Sequence, residues 1–155
     1  VIELRDERSG SPASRALFDE YMDLIRVRSG IDDFVPVERI FATEDAFAAG
    51  DAAWMVVYID GAPVACGGLR TLAPGIGEIK RMFVTDGARG RGVGRYLLRE
   101  LEARALAAGH SRVRLLTTPM LSEACVLYAA EGYVEISRGP HGEGPVEIWL
   151  EKALG

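Results

Sequence analysis

The residues best suited to chemistry in this chain lie in one stretch: Glu78-Ile79-Lys80-Arg81-Met82-Phe83-Val84, then Thr85-Asp86-Gly87-Ala88, then Arg89-Gly90-Arg91-Gly92-Val93-Gly94-Arg95. A run of β-formers, a basic glycine loop and the start of an amphipathic helix are together the parts of an anion site. Glycines let the main chain come close to a ligand, successive N–H groups point into the concavity, and the helix dipole adds partial positive charge. Arg89, Arg91 and Arg95 add full charges, and a diphosphate is the natural occupant. A solvated basic turn that binds nothing is the plainer alternative.

Spacing separates the nucleotide sites that such a loop could form. A phosphate-binding P-loop needs Lys followed by Ser or Thr after its last glycine, and here Arg95 and Tyr96 follow Gly94. A dinucleotide site needs G-x-G-x-x-G and an acidic residue closing the next strand. This chain has G-x-G-x-G, and its next apolar run ends Leu115-Leu116-Thr117-Thr118.

The elements that must hold this loop follow from periodicity. Residues 1–5 alternate apolar and polar and predict a first strand. Ser11-Pro12 then predicts a helix start, with Leu17, Phe18, Tyr21, Leu24 and Ile25 at helical spacing until Gly30. A loop at 31–35 precedes a second helix from Pro36 that carries Ile40, Phe41 and Phe47. Residues 53–59 and 64–72 flank the turn Asp60-Gly61 as a hairpin, and 77–85 adds a third antiparallel strand. From Val93 the spacing is helical again, with Leu97, Leu98, Leu101, Ala105 and Ala108 on one face before Gly109. A strand at 113–117, a short helix at 122–131 and closing strands at 133–136 and 146–150 complete the chain, with residues 139–145 as a Gly-Pro loop.

Composition bounds what such a chain does. At 155 residues, one domain spanning 1–155 is expected, and 48% apolar with 26% charged residues excludes a disordered chain. The longest apolar run, 52–59, is far short of a membrane span, and no basic-then-apolar signal pattern opens the chain, so the cytoplasm is the expected location. Two cysteines, Cys66 and Cys125, and two distant histidines, His110 and His141, argue against a disulfide framework and against a metal site. A net charge of −5 disfavours nucleic acid as a partner and hints at a cationic acceptor.

Arg89, Gly92 and Gly94 match the Arg/Gln-x-x-Gly-x-Gly/Ala pattern of the GNAT superfamily of N-acetyltransferases, which this sequence resembles over most of its length, from Ala53 to Leu150. The strand at 78–84 resembles that family's fourth strand. Leu127-Tyr128-Ala129-Ala130-Glu131-Gly132-Tyr133 resembles its late helix, which ends in a Tyr-x-x-x-Gly-Phe/Tyr pattern. The resemblance implies an α+β fold, a mixed, strongly twisted sheet flanked by helices, whose fourth strand carries a bulge and splays from the fifth. It also implies acetyl-CoA as co-substrate and direct acetyl transfer to the amine of a small molecule in a ternary complex. A non-catalytic acyl-CoA-binding module and an enzyme acting on a protein amino group are the alternatives. Homodimers are common in the family, and no segment here specifies one.

Carried over residue by residue, the resemblance puts the pyrophosphate on the backbone N–H groups of Arg89, Gly90, Arg91, Gly92, Val93 and Gly94, with Arg95 beside them. The pantetheine arm would add as a strand against the backbones of Met82, Phe83 and Val84. Glu78 is the candidate base, or else a strand carboxylate paired with Lys80 or Arg81. Tyr128 is the candidate proton donor to the departing thiolate, or else a core tyrosine on a stripe with Leu121, Ala124 and Cys125. A backbone N–H of Met82 or Phe83 would hold the oxyanion. Leu121 stands where the family often has an Asn that contacts pantetheine. Thr117 and Ser122 are candidate substitutes, Ser122 as a helix cap first and a ligand second. Around the acceptor, Asp32 and Asp33 could attract an ammonium, and Arg26 or Arg28 a carboxylate.

Overall fold

A computed structural model describes residues 1–30, 47, 52–140 and 146–155. The strands are β1 (Ile2–Asp6), β2 (Ala53–Ile59), β3 (Ala62–Ala73), β4 (Ile76–Val84), β5 (Arg112–Thr117), β6 (Val134–Pro140) and β7 (Val146–Ala153). The helices are α1 (Pro12–Ser29), α2 (Val93–Ala107) and α3 (Ser122–Ala130). All seven strands form one sheet in the order β1-β2-β3-β4-β5-β7-β6. Every neighbouring pair is antiparallel except β4 and β5, which run parallel because α2 connects them.

The expected hairpin forms, and its turn needs left-handed backbone at both Asp60 (φ 50°) and Gly61 (φ 84°), which is why Asp-Gly sits there. Ser11 caps α1, its hydroxyl accepting from the Ser14 N–H at 3.2 Å, with Pro12 in the first turn and Gly30 in the left-handed conformation at the far end. The second helix expected from Pro36, the loop at 31–35 with Asp32 and Asp33, and His141 lie outside the described residues. Strand β6 runs further than expected, through Gly139 and Pro140, which pair with Glu147 and Val146. It is an edge strand in the order above, and an edge tolerates a residue that cannot donate to a ladder.

Two apolar clusters fix the helices to the sheet. Leu97, Leu98, Leu101 and Ala105 of α2 are fully buried against Met55, Val57, Ala65, Leu69, Val113 and Leu115 on one face. On the other, Leu17 of α1 packs with Trp54, Val56, Tyr58, Cys66, Phe83 and Phe47. The two clusters bury both faces of the central strands, and β2 is buried from Ala53 to Tyr58.

The bulge expected in the fourth strand is present. Opposite β3, Cys66 pairs with Phe83 and Gly68 with Lys80, so three steps on β4 face two on β3. The extra residue is Arg81, whose φ of 55° is rare outside glycine. The bulge reverses side-chain parity: Ile79 faces α2, yet beyond the bulge Met82 packs with the same α2 cluster while Phe83 joins the α1 cluster.

Gly68 faces α1, and a Cβ there would stand 2.4 Å from Phe47 and 2.7 Å from Trp54. Gly68→Ala is expected to destabilise the protein by about 1–3 kcal/mol in urea unfolding, through displacement of both rings. An unchanged unfolding midpoint would contradict this packing.

Candidate active site

Pairing between β4 and β5 runs from Ile76↔Arg112 to Ile79↔Leu115 and stops there. Beyond it the ladder is not continued, and the β4 edge at Met82, Phe83 and Val84 has no ladder partner on that side among the described residues. A groove of about 410 Å³ opens at this point. Met82, Phe83 and Val84 form one wall, Ala124, Leu127 and Tyr128 of α3 form the other, and Arg89, Gly90, Gly92, Val93, Gly94 and Arg95 close one end. Unpaired main-chain groups along such an edge can bond an extended ligand arm as a further strand would.

The closed end is an N-terminus left open by its own sequence. Gly92, in the left-handed conformation at φ 78°, precedes α2 and no side chain caps it. The first helical bond runs from the Tyr96 N–H to the Gly92 carbonyl. The N–H groups of Gly92, Val93, Gly94 and Arg95 therefore have no acceptor within the helix, and no acidic residue lies in its first turn. Gly94 is needed for space: its Cβ would stand 3.1 Å from Leu127 and 3.4 Å from Val84, across the groove. Arg89 turns inward, its Nε donating to the Val84 carbonyl at 3.2 Å and its Nη1 to Asp86 at 3.2 Å, so it ties the loop to the end of β4.

Tyr128 is 5% exposed and lines the groove, its ring tilted against Tyr133 at 5.7 Å. Burial pushes its pKa well above the ordinary tyrosine value, with Tyr21 of α1 and Cys125 adding to the rise. Tyr21 itself packs on Phe83 at 5.5 Å and is pushed up to about 12 by burial. The Tyr128 hydroxyl makes no hydrogen bond with any described residue. A buried hydroxyl in a groove wall, protonated throughout the neutral range, is a donor for whatever atom reaches it.

Glu78 does not line the groove. It is 3% exposed, and Arg70 on β3 donates to its carboxylate at 2.9 Å, so its partner is neither Lys80 nor Arg81. Arg70 lies directly across the ladder from Glu78, which is one step before the last β4–β5 pair. It shares the α1 face with Lys80, which pairs with Gly68. Tyr128 and Glu78 thus stand on opposite sides of the split, one in the groove and one across it.

The remaining expected residues divide. Arg91 is exposed and does not line the groove. Thr117 is buried in the β5–β7 ladder opposite Ile148, and Ser122 is exposed as the first residue of α3; neither lines the groove. Leu121, without a side-chain cap bond, holds the capping position expected of Ser122. Glu123 and Leu127 line the groove and were missed. Arg28, read as a carboxylate binder, instead clamps Glu123 through two bonds of 2.5 and 2.8 Å and reaches the Met120 carbonyl at 2.8 Å. Among the described residues no group of three His, Cys, Asp or Glu could hold a metal, and no helix is long and apolar enough to cross a membrane.

The model of the Acetyltransferase (GNAT) family matches residues 15–133. An IAA acetyltransferase of Azospirillum brasilense is 34% identical over 127 residues, covering 80% of this chain and 83% of that protein. Among solved structures, an acetyltransferase of the GNAT family from Staphylococcus aureus superposes with a TM-score of 0.81 at 17% identity, covering 100% of both chains. The ribosomal-protein-S18-alanine N-acetyltransferase from Escherichia coli superposes at 0.71 with 16% identity, covering 100% of this chain and 95% of that one.

The Arg28 guanidinium holds Glu123 down to about 2 through its hydrogen bonds. A carboxylate lowered in the folded state adds stability that is complete above the ordinary carboxylate range and is lost as pH falls through about 2. Carbon-13 NMR titration is expected to show Glu123 ionising near that value and Arg28→Met returning it to the ordinary range. The stability gap between the two proteins should then narrow from about pH 5 downward. Ordinary titration of Glu123 in the unaltered protein would show that the clamp does not hold in solution.

Proposed function

Since the chain belongs to the GNAT acetyltransferase family and is an acyltransferase, we propose that it moves an acetyl group from acetyl-CoA to the amine of a small molecule, by direct attack while both substrates are bound. The observation that carries this reading is the split between β4 and β5, with an unpaired strand edge, an uncapped helix N-terminus and the Tyr128 hydroxyl around one groove. An extended arm with a diphosphate at one end and a thioester at the other matches that order. The diphosphate meets the free N–H groups of α2, and the arm bonds the backbone of Met82, Phe83 and Val84.

The acceptor comes from the α1 face. An amine of ordinary pKa, about 10.4, is mostly protonated at neutral pH, so its lone pair must be exposed by a base. Glu78, held by Arg70, takes that proton directly or through water. The nitrogen attacks the thioester carbon, the oxyanion is held by the N–H of Met82 or Phe83, and the C–S bond breaks. A thiol has an ordinary pKa near ~8.5, well below that of buried Tyr128, so Tyr128 meets the leaving sulfur chiefly as a hydrogen-bond donor. The attacking nitrogen sheds its second proton as the amide forms; that proton passes to the departing thiolate, so CoA leaves as the thiol, and Glu78 returns the first proton to water.

A small-molecule acceptor is favoured over a protein amino group by the relative named an IAA acetyltransferase, at 34% identity. A cytoplasmic location fits two cysteines that are both free thiols. A homodimer rests on the habit of the family alone.

Tyr128→Phe is expected to lower kcat about 10–100-fold with little change in the KM for acetyl-CoA, measured as release of free CoA. Glu78→Gln should lower kcat/KM at neutral pH by a similar factor. Unchanged turnover in either variant would remove that residue from the mechanism. Binding of acetyl-CoA without CoA release for any amine would favour the non-catalytic module.

A further inference from the structure

Glu102 is a buried carboxylate that the transfer chemistry does not use. It lies on α2 among the apolar residues that pack on the sheet and is 9% exposed. Two groups hold it: the Tyr133 hydroxyl donates to one oxygen at 2.7 Å, and the Lys152 ammonium of β7 donates to the other at 2.9 Å. The same ammonium stands 5.6 Å from the centre of the Tyr133 ring. A buried charge is costly unless it is paired and hydrogen-bonded, and even then an apolar replacement is often as stable. This arrangement is therefore better suited to fixing a position than to adding stability.

What it fixes is Tyr133, and Tyr133 is joined to Tyr128 through both backbone and ring. Past the end of α3, Gly132 takes the left-handed conformation at φ 92°. That turn lets the Gly132 N–H bond the Ala129 carbonyl at 3.2 Å and the Tyr133 N–H bond the Tyr128 carbonyl at 3.0 Å. The two rings then meet at 5.7 Å, inclined by 60°, inside the core cluster that α2 forms with the sheet. The Tyr128 hydroxyl at the groove wall makes no hydrogen bond with any described residue, so packing, not a bond of its own, sets where it points. An aromatic ring at 133 is all that the family pattern asks; the Tyr133 hydroxyl and its carboxylate partner go beyond it.

We propose that Tyr133, Glu102 and Lys152 are positioning residues for Tyr128: Glu102, neutralised by Lys152, anchors the Tyr133 hydroxyl, and the anchored ring holds the Tyr128 hydroxyl where the leaving sulfur meets it. This rests on the acetyl-transfer reading and on the part given there to Tyr128. A donor that drifts from its place loses its hydrogen bond to the departing sulfur, while binding of the ligand along the rest of the groove is untouched. The loss therefore falls on kcat and not on KM.

The test measures kcat and the KM for acetyl-CoA, by release of free CoA, in the unaltered protein, Tyr133→Phe, Tyr128→Phe and the double variant, with thermal melting to show that each is folded. Tyr133→Phe keeps the ring and loses only its anchor; it is expected to lower kcat about 3–10-fold and to leave the KM within about twofold. In the Tyr128→Phe background the same change should alter kcat by less than about twofold, because the hydroxyl being positioned is gone. Glu102→Leu should match Tyr133→Phe, and Glu102→Gln, whose amide oxygen still accepts from the Tyr133 hydroxyl, should lose less. An unchanged kcat in Tyr133→Phe, a loss carried by KM, or an equal loss in both backgrounds would overturn this proposal and leave acetyl transfer standing. No loss in Tyr128→Phe would overturn it together with the role of Tyr128, and no release of CoA with any amine would overturn the acetyl-transfer reading as well.

Discussion

One residue in an unfavourable backbone conformation sets the geometry on which the site depends. Arg81 at φ 55° carries a strain on the order of 1–3 kcal/mol, which persists only where the surroundings over-determine it. Here β3 pairs on both sides of it, Gly68 with Lys80 and Cys66 with Phe83, and the Arg81 side chain lies among Phe18 and Phe47. The bend ends the β4–β5 ladder after Ile79, so an unpaired strand edge exists inside the molecule instead of at its rim. An unpaired edge of main-chain donors and acceptors is open to a partner, and a groove of about 410 Å³ lies beside it.

The same bend divides the labour between the two faces of the sheet. On the α2 side lie the helix N-terminus, the glycine loop and Tyr128, around one groove. On the α1 side lie Glu78, Lys80 and Arg81. Helix α1 is tied across this division at two points, by Arg28 on Glu123 and by Glu20 accepting from the Thr85 hydroxyl at 2.5 Å. Tyr21 of the same helix reaches Phe83 and influences Tyr128, so α1 touches both halves of the site.

What could be read from the sequence was what local spacing encodes. Alternation along 53–84, the Asp60-Gly61 turn, the Ser11-Pro12 start and the stripe from Leu97 to Ala105 each declare an element within a few residues, and the glycine loop declares the turn that opens α2. Contacts set by register were not legible. Arg70 was overlooked because its pairing with Glu78 depends on how β3 and β4 align around their irregularities. Arg28 and Glu123 are 95 residues apart and meet only because the end of α1 lies beside the start of α3. Nothing in Lys80-Arg81 announces a bulge, since neither is glycine; the bulge entered as an expectation through family resemblance. Glycine and proline at 139 and 140 signalled a loop, and their place on an edge strand, where a missing donor costs little, could be seen only once the strand order was known.

The most direct test of the central claim is hydrogen–deuterium exchange of the backbone with and without acetyl-CoA. If the arm adds as a strand at the split, the amides of Met82, Phe83 and Val84 and those of residues 89–95 become strongly protected together, while β1 and β6 exchange as before. Protection confined to other segments, or none at a saturating concentration, would contradict an acyl-CoA site between β4 and β5.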